Sequence, residues 1–319
     1  MTAGGGRILV IAGTTASGKS ALGLAAALRL GGEIVSADSA AVYRGLDIGT
    51  GKPGPAERAL VPHHCLDLRD PGEPFTVAEY REAALAAVEG CLGRGAAPLL
   101  VGGSGLYVRQ VLERTVTPPV PPDPALRAEL ERRPAADLHA ELARVDPASA
   151  ARLPPGDRRR VIRALEVHRA TGRPLSAFLP PAGVRPPRRP HLLLVLDRPP
   201  DVLRRRIADR VERMLEAGLL GEVEGLLRAG VPPSAQALQA LGYRQAVAHL
   251  RQGGTVDGLR AEIVAATARF AKRQRTWFRG EPDAKWLDLG DGPPEAALSA
   301  LVERWRDGTG PVERRPDPA

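Results

Sequence analysis

The chain has 319 residues, 43% of them hydrophobic, and carries 45 Lys+Arg against 37 Asp+Glu, a formal net charge of +8. That length supports a sizeable core in one large domain or one domain with an insert, while no apolar run approaches the ~18 residues of a membrane span. Two cysteines, Cys65 and Cys91, lack metal-ligand spacing, and no basic segment leads into a long apolar stretch, so a reduced, cytoplasmic protein without a signal peptide is expected. The positive balance suggests an anionic partner, such as nucleic acid. Only Lys19, Lys52, Lys272 and Lys285 are lysines, and Arg, Ala, Pro and Gly abound, as in chains from G+C-rich genomes. The location of the charge, not its total, must decide.

Residues 8–12 form an apolar, β-branched run of the kind that becomes a strand buried on both faces. Gly13-Thr14-Thr15-Ala16-Ser17-Gly18-Lys19-Ser20 follows and fits G-x-x-x-x-G-K-[ST]; residues 21–30 then read as a helix stopped by Gly31-Gly32. Strand, glycine-rich loop and helix together make a phosphate cradle. Gly13 and Gly18 let backbone amides curl around phosphate oxygens, and the helix N-terminus adds partial positive charge. Lys19 reaches terminal phosphate oxygens, and the Ser20 hydroxyl can ligate Mg²⁺.

Residues 32–38 read as a second strand ending in Asp38, either a functional carboxylate beside the phosphate loop or a helix cap. Residues 39–53 read as a functional loop rich in glycine and polar groups. His63 and His64 would point to opposite faces of a strand, which suits a structural role better than joint metal ligation. A helix is expected from Val77 to about Arg94, stopped by Gly95, and a buried strand at 98–101. Residues 102–107 form a second glycine-rich loop leading into a helix. This alternation predicts an α/β fold, a P-loop NTPase-like parallel sheet flanked by helices.

Proline-rich stretches at 117–124 and 180–190 bracket a segment with helical patterns only, so 1–117 and 191–307 are expected to form the α/β core and 118–190 an all-helical insertion domain. The insert holds 14 Arg against 8 Asp+Glu, net +6, which favours a real basic surface. Asp157 can cap a helix over 158–171. On it Arg159 and Arg163, four apart, would present two guanidinium groups together or form a solvated face paired with Glu166. Residues 191–197 form another strand; 201–218 and 219–230 read as amphipathic helices and 239–244 as a loop. A helix over 262–278 would pack Ile263, Phe270 and Trp277 on one face and turn Lys272, Arg273 and Arg279 to others, where they suit phosphate contacts. The charged, proline-rich 308–319 tail is expected to be disordered.

These motifs together resemble the bacterial tRNA dimethylallyltransferases (tRNA isopentenyltransferases) from about residue 7 to 305. The resemblance rests on the 13–20 loop, Asp38-Ser39, Val42-Tyr-Arg-Gly-Leu-Asp-Ile-Gly-Thr50, Pro62-His-His64 and Val101-Gly-Gly-Ser-Gly-Leu-Tyr107. Further blocks are Arg163-Ala-Leu-Glu-Val-His168 with Thr171-Gly172, Gly242-Tyr-Arg244 and Ala271-Lys-Arg-Gln-Arg-Thr-Trp277. Thr14 stands where the family usually has proline and Ser104 where threonine is common. Ala40 and Ala41 replace a larger pair, so contacts there would rest on backbone atoms.

The resemblance implies Mg²⁺-assisted transfer of the dimethylallyl group from dimethylallyl diphosphate to N6 of the adenosine just 3′ of the anticodon, in tRNAs reading codons that begin with U. The loop 13–20 would hold the diphosphate leaving group rather than a nucleotide to be hydrolysed. Lys19 and, by family position, Arg210 would stabilise it. Asp38 would accept the N6 proton, with Ser104 orienting the reacting groups. Asp38, Ser39, Ala40, Ala41, Ser104, Arg159, Arg160, Arg163, Gly242, Tyr243, Arg244, Lys272, Arg273 and Gln274 would meet the tRNA. A monomer without a membrane partner is expected. The rival readings are a P-loop small-molecule kinase, an isopentenyltransferase acting on free adenine nucleotide, and an RNA-binding nucleotide switch, which should carry an Asn/Thr-Lys-x-Asp signature that this sequence lacks.

Overall fold

A chain that alternates buried strands with helices must cover both faces of its sheet. The computed structural model describes residues 6–113, 120, 123–178, 187 and 189–307. The tail and most of both proline-rich brackets lie outside these residues. The chain divides into two units, 1–112 with 189–319, and 113–188, so the first division falls slightly ahead of the 117–124 bracket and the second near the end of the 180–190 bracket.

The first half of unit 1 runs β1 (Ile8–Gly13), α1 (Lys19–Leu30), β2 (Gly32–Ser36), α2 (Pro55–Leu60), β3 (His63–His64), α3 (Val77–Gly93), β4 (Ala97–Gly102) and α4 (Gly105–Val111). Unit 2 follows with α5 (Pro124–Glu131), α6 (Ala135–Val145), α7 (Pro147–Ala150) and α8 (Arg158–Thr171). Unit 1 resumes with β5 (His191–Asp197), α9 (Pro200–Glu216), α10 (Leu219–Arg228), α11 (Tyr243–Gln252), α12 (Val256–Arg279), β6 (Lys285–Asp288) and α13 (Leu298–Asp307).

Among the described residues six strands form one parallel sheet in the order β3-β2-β4-β1-β5-β6. Alternate residues of β1 serve opposite layers. Ile8, Val10 and Ala12 join a core with Tyr80, Val108, Val223, Ala246 and Phe278, from α3, α4, α10, α11 and α12. Leu9 and Ile11 join Leu22, Ala26, Leu301 and Trp305, from α1 and α13. The edge strand β6 (Lys-Trp-Leu-Asp) and the short α2 lack strong sequence signals and were not anticipated. β6 is only partly buried, so it shows no apolar run.

Two expectations need correction. β2 ends at Ser36, which places Asp38 in the turn beyond the strand. In α12 the buried face runs through Ile263, Thr267, Ala271, Gln274 and Phe278, while Phe270 and Trp277 are half-buried. A straight helix drifts ~20° per seven residues, so a strict seven-residue stripe leaves the core. Phe270 and Trp277 instead lie under the guanidinium groups of Arg273 and Arg109, at 5.6 and 4.5 Å.

Unit 2 packs Leu130, Leu138, Leu142, Val161, Ile162 and Leu165 into its own core. Asp157 caps α8 by accepting from the Arg160 amide. The buried Glu166 carboxylate accepts from Arg127 at 2.7 Å.

Candidate functional site

The loop after β1 is shaped by close backbone approaches. A Cβ at Gly13 (φ +147) would lie 2.6 Å from the Leu196 carbonyl, and one at Gly18 (φ +100) 2.4 Å from Pro294, so neither position admits a side chain. Ala16 is a rare non-glycine residue with φ +62. The loop is braced from behind. Arg198 donates from Nε to the Ser17 carbonyl (2.8 Å) and from Nη1 to the Gly290 and Gly292 carbonyls (3.0 Å each). Arg206 donates to the Ala16 carbonyl (2.9 Å). With these carbonyls engaged, the first amides of α1, which lack intrahelical acceptors, remain as donors for an anion.

Lys19 stands at the start of α1 and donates to the Thr14 carbonyl at 3.3 Å. Burial, then repulsion from Arg210, pushes its ammonium down to about 8, while Asp38 acts the other way. Arg210 is itself pushed down by burial and held up by Asp38. One lysine, one arginine and one carboxylate therefore share a common field. Arg210 is further fixed by donating to the Thr50 carbonyl at 2.9 Å. Ser20 is exposed in the first turn of α1.

Asp38 Oδ1 accepts from the amides of Ala40 (2.9 Å) and Ala41 (3.4 Å). The carboxylate is thus a local cap and also lies in the field of both cations. Ser104 Oγ accepts from the Ser39 amide (3.1 Å), which ties the second glycine loop to the Asp38 turn. Gly102 and Gly105 are glycine because Ala37 and Trp277 crowd them.

Several residues expected at a tRNA surface lie elsewhere. Tyr243 is fully buried at the start of α11, where its hydroxyl donates to Glu222 and accepts from the Gly49 amide; it is not a surface residue. The segment 239–244 is thus part 3₁₀ turn and part helix start rather than a loop. Gln274 is buried: Oε1 accepts from the Thr15 amide (2.8 Å) and Nε2 donates to the Gly103 carbonyl (2.9 Å). Arg163 does not share an open face with Arg159. It donates to the Val120 carbonyl (2.7 Å) and pairs with buried Glu166 (3.6 Å); these contacts hold its side chain, while that of Arg159, one turn earlier, stays exposed. Ala41 and Gly242 are buried. Ser39, Arg159, Arg160, Arg244, Lys272 and Arg273 are exposed, and Ala40 is partly so.

Sequence reasoning missed Arg198, Arg206, Glu222 and the internal role of Gln274. Each acts through a contact more than a hundred residues away, except Glu222 with Tyr243, and no local spacing signals such contacts. The histidine pair lies in β3. His64 Nε2 is 2.6 Å from Glu33, whose carboxylate also receives two bonds from Arg94 (2.8 and 2.7 Å). Those Arg94 bonds hold the Glu33 carboxyl at about 2. Glu33, His64 and Cys91 are close enough for a metal, but the arginine occupies the carboxylate and makes the cluster a brace.

A glycine loop between the first strand and first helix of a parallel sheet, carrying a lysine and facing a carboxylate and an arginine, defines a P-loop phosphate-binding α/β protein. The profile of the IPP transferase family matches residues 41–281. The chain is 49% identical over 285 residues to tRNA dimethylallyltransferase 1 of Trichlorobacter lovleyi, covering 88% of this chain and 93% of that one. It is 47% identical over 300 residues to the tRNA dimethylallyltransferase of Desulforudis audaxviator, covering 92% and 96%. Among solved structures it is similar to the full-length tRNA isopentenylpyrophosphate transferase of Bacillus halodurans (34% identity, TM-score 0.68, 94% and 98% covered). It is also similar to a eukaryotic dimethylallyltransferase acting on tRNA (26% identity, TM-score 0.81, 97% and 81% covered). The chain belongs to the IPP transferase family.

Proposed function

We propose that this protein is a tRNA dimethylallyltransferase. It moves the dimethylallyl group of dimethylallyl diphosphate to N6 of the adenosine just 3′ of the anticodon, in tRNAs reading codons that begin with U. The observation that carries this reading is the shared field of Lys19, Arg210 and Asp38 beside the phosphate loop. The names and lengths of the matching relatives support the substrate class.

As the allylic C–O bond breaks, positive charge grows on carbon and negative charge on the diphosphate. Lys19, Arg210 and the amides at the start of α1 stabilise the negative charge. The adenine N6 lone pair is delocalised into the ring, so the nitrogen is a weak nucleophile. Asp38 takes the N6 proton as the N–C bond forms. Its Oδ1 is anchored by the Ala40 and Ala41 amides, which orients the carboxylate. Ser104 and Ser39 adjoin this turn and orient the base.

Mg²⁺ fits the donor set, since Ser20 offers an exposed hydroxyl, a hard oxygen, in the first turn of α1. When bound, the ion would neutralise charge on the diphosphate oxygens. Exposed Arg159, Arg160, Arg244, Lys272 and Arg273 provide cations for tRNA phosphates. The target base lies in a loop, where extrusion costs less than from a duplex.

The test is to mix protein, dimethylallyl diphosphate, Mg²⁺ and unmodified tRNA and to weigh the digested nucleosides. A prenylated adenosine is expected. Preferential prenylation of AMP, or phosphoryl transfer from ATP, would replace this reading.

A further inference from the structure

The residues 47–51 loop is gripped at both ends. At one end, three successive amides converge on a single carboxylate. Asp47 and Ile48 donate to Glu222 Oε2 (3.0 and 2.9 Å), and Gly49 donates to Oε1 (3.4 Å). The buried Tyr243 hydroxyl closes the ring, donating to Glu222 Oε1 (2.5 Å) and accepting from the Gly49 amide (3.0 Å). At the other end, one residue further along, the Thr50 carbonyl receives the Arg210 guanidinium (2.9 Å).

The loop is glycine at the two positions where a partner side chain comes closest, Gly49 and Gly51. A Cβ at Gly49 would lie 2.4 Å from the Tyr243 ring, and one at Gly51 (φ +64) 2.7 Å from Arg210 Nη2. Backbone that close to both partners transmits displacement directly, because Gly49 and Thr50 share a peptide bond. A row of convergent amides is an anion-binding arrangement. Here an internal carboxylate fills it, so these amides serve the loop's shape rather than the substrate.

We propose that Glu222 and Tyr243 are positioning residues for diphosphate release: they fix the 47–51 loop so that the Thr50 carbonyl holds the Arg210 guanidinium against the leaving group. This rests on the diphosphate reading given above. Tyr243 therefore serves the reaction from the interior, through Arg210, rather than by touching tRNA. Its burial and the adjoining carboxylate raise its phenol pKa, which keeps the hydroxyl a donor.

The experiment is a double-mutant cycle. Glu222→Gln and Tyr243→Phe are each made in the wild-type and Arg210→Ala backgrounds. Binding of inorganic diphosphate with Mg²⁺ is measured by calorimetry, and turnover with dimethylallyl diphosphate and tRNA is measured in parallel. In the wild-type background each substitution should weaken diphosphate binding and lower kcat about tenfold, the scale on which misplacing one group acts. In the Arg210→Ala background the same substitutions should change diphosphate binding less than about twofold, because the group they position is gone.

An equal loss in both backgrounds, or no loss in either, overturns the proposal. If Glu222→Gln does not fold, Gly49→Ala tests the same link by displacing the Tyr243 ring. Diphosphate binding requires no tRNA. If the wild type binds diphosphate and shows the coupling but fails to prenylate tRNA, the tRNA reading falls and this proposal stands.

Discussion

Lys19 is a cation placed where a cation is costly. Burial and Arg210 hold its pKa at about 8, below its ordinary 10.5, so between these values the unfolded chain binds more protons than the folded one. Its unfavourable contribution to stability is full below about 8 and lifts as pH rises through that window. Diphosphate reverses the balance by supplying the missing counter-charge. The Lys19-dependent part of inorganic diphosphate binding, taken as the difference between wild type and Lys19→Ala so that titration of the diphosphate itself cancels, should therefore be constant below about pH 8 and shrink above it, with extra proton uptake in the wild type seen by calorimetry in buffers of different ionisation enthalpy. Lys19→Ala should also abolish turnover. Asp38→Asn separates the two readings of that residue. The amide oxygen still accepts from Ala40 and Ala41, so the cap survives, but basicity is lost. Measured kcat should fall about 10²–10⁴-fold with tRNA affinity unchanged, whereas wild-type kcat would reduce Asp38 to a cap.

The element that integrates the site is α12. Its inner face carries Gln274, which links the phosphate loop at Thr15 to the second glycine loop at Gly103, while its outer face carries Lys272 and Arg273. The Gly103 contact leaves no room for a Cβ, which would sit 2.2 Å from Gln274 Nε2. Gln274→Ala strips a partner from the part-buried Thr15 amide and the buried Gly103 carbonyl, a loss of about 1–3 kcal/mol for the buried group and less for the other. Chemical denaturation should show a lower midpoint, and diphosphate binding should weaken. Gln274→Glu keeps the acceptor for Thr15 but adds negative charge near the leaving group. It should therefore bind diphosphate more weakly than Gln274→Ala. Equal affinity for the two variants would mean that Gln274 is a spacer only.

At the scale of the whole molecule, the excess charge is concentrated in residues 118–190. Within unit 2 the arginines divide by direction. Arg159 and Arg160 are exposed, whereas Arg163 neutralises the buried Glu166. Substituting Arg159 and Arg160 by alanine should weaken tRNA binding and flatten its salt dependence by about 0.7–0.9 log units per lost phosphate contact, with diphosphate affinity unchanged. A salt series that gives superimposable lines for wild type and variant would remove these arginines from the interface. Arg163→Ala should behave differently. It should lower the melting temperature by leaving a buried carboxylate short of a partner, with little change in the salt slope.

Much of this protein is determined by residues near one another in sequence. The continuous apolar runs of β1, β4 and β5 announce a parallel sheet because strands covered on both faces need no polar alternation. The phosphate loop is legible because its function depends on backbone conformation, and glycine at fixed spacing encodes that conformation directly. The Gly242-Tyr243-Arg244 and Lys272-Arg273-Gln274 blocks are legible as motifs, but the direction each side chain takes is not. Periodicity gives a helix face only to within a fraction of a turn, and packing chose the remainder. That packing buried Tyr243, turned Gln274 onto the phosphate loop and folded Arg163 onto Glu166. Only the tertiary structure could bring Glu222 to the amides of 47–49 or Arg198 beneath Ser17, since these groups are 173 or more residues apart and meet through the order of strands in the sheet.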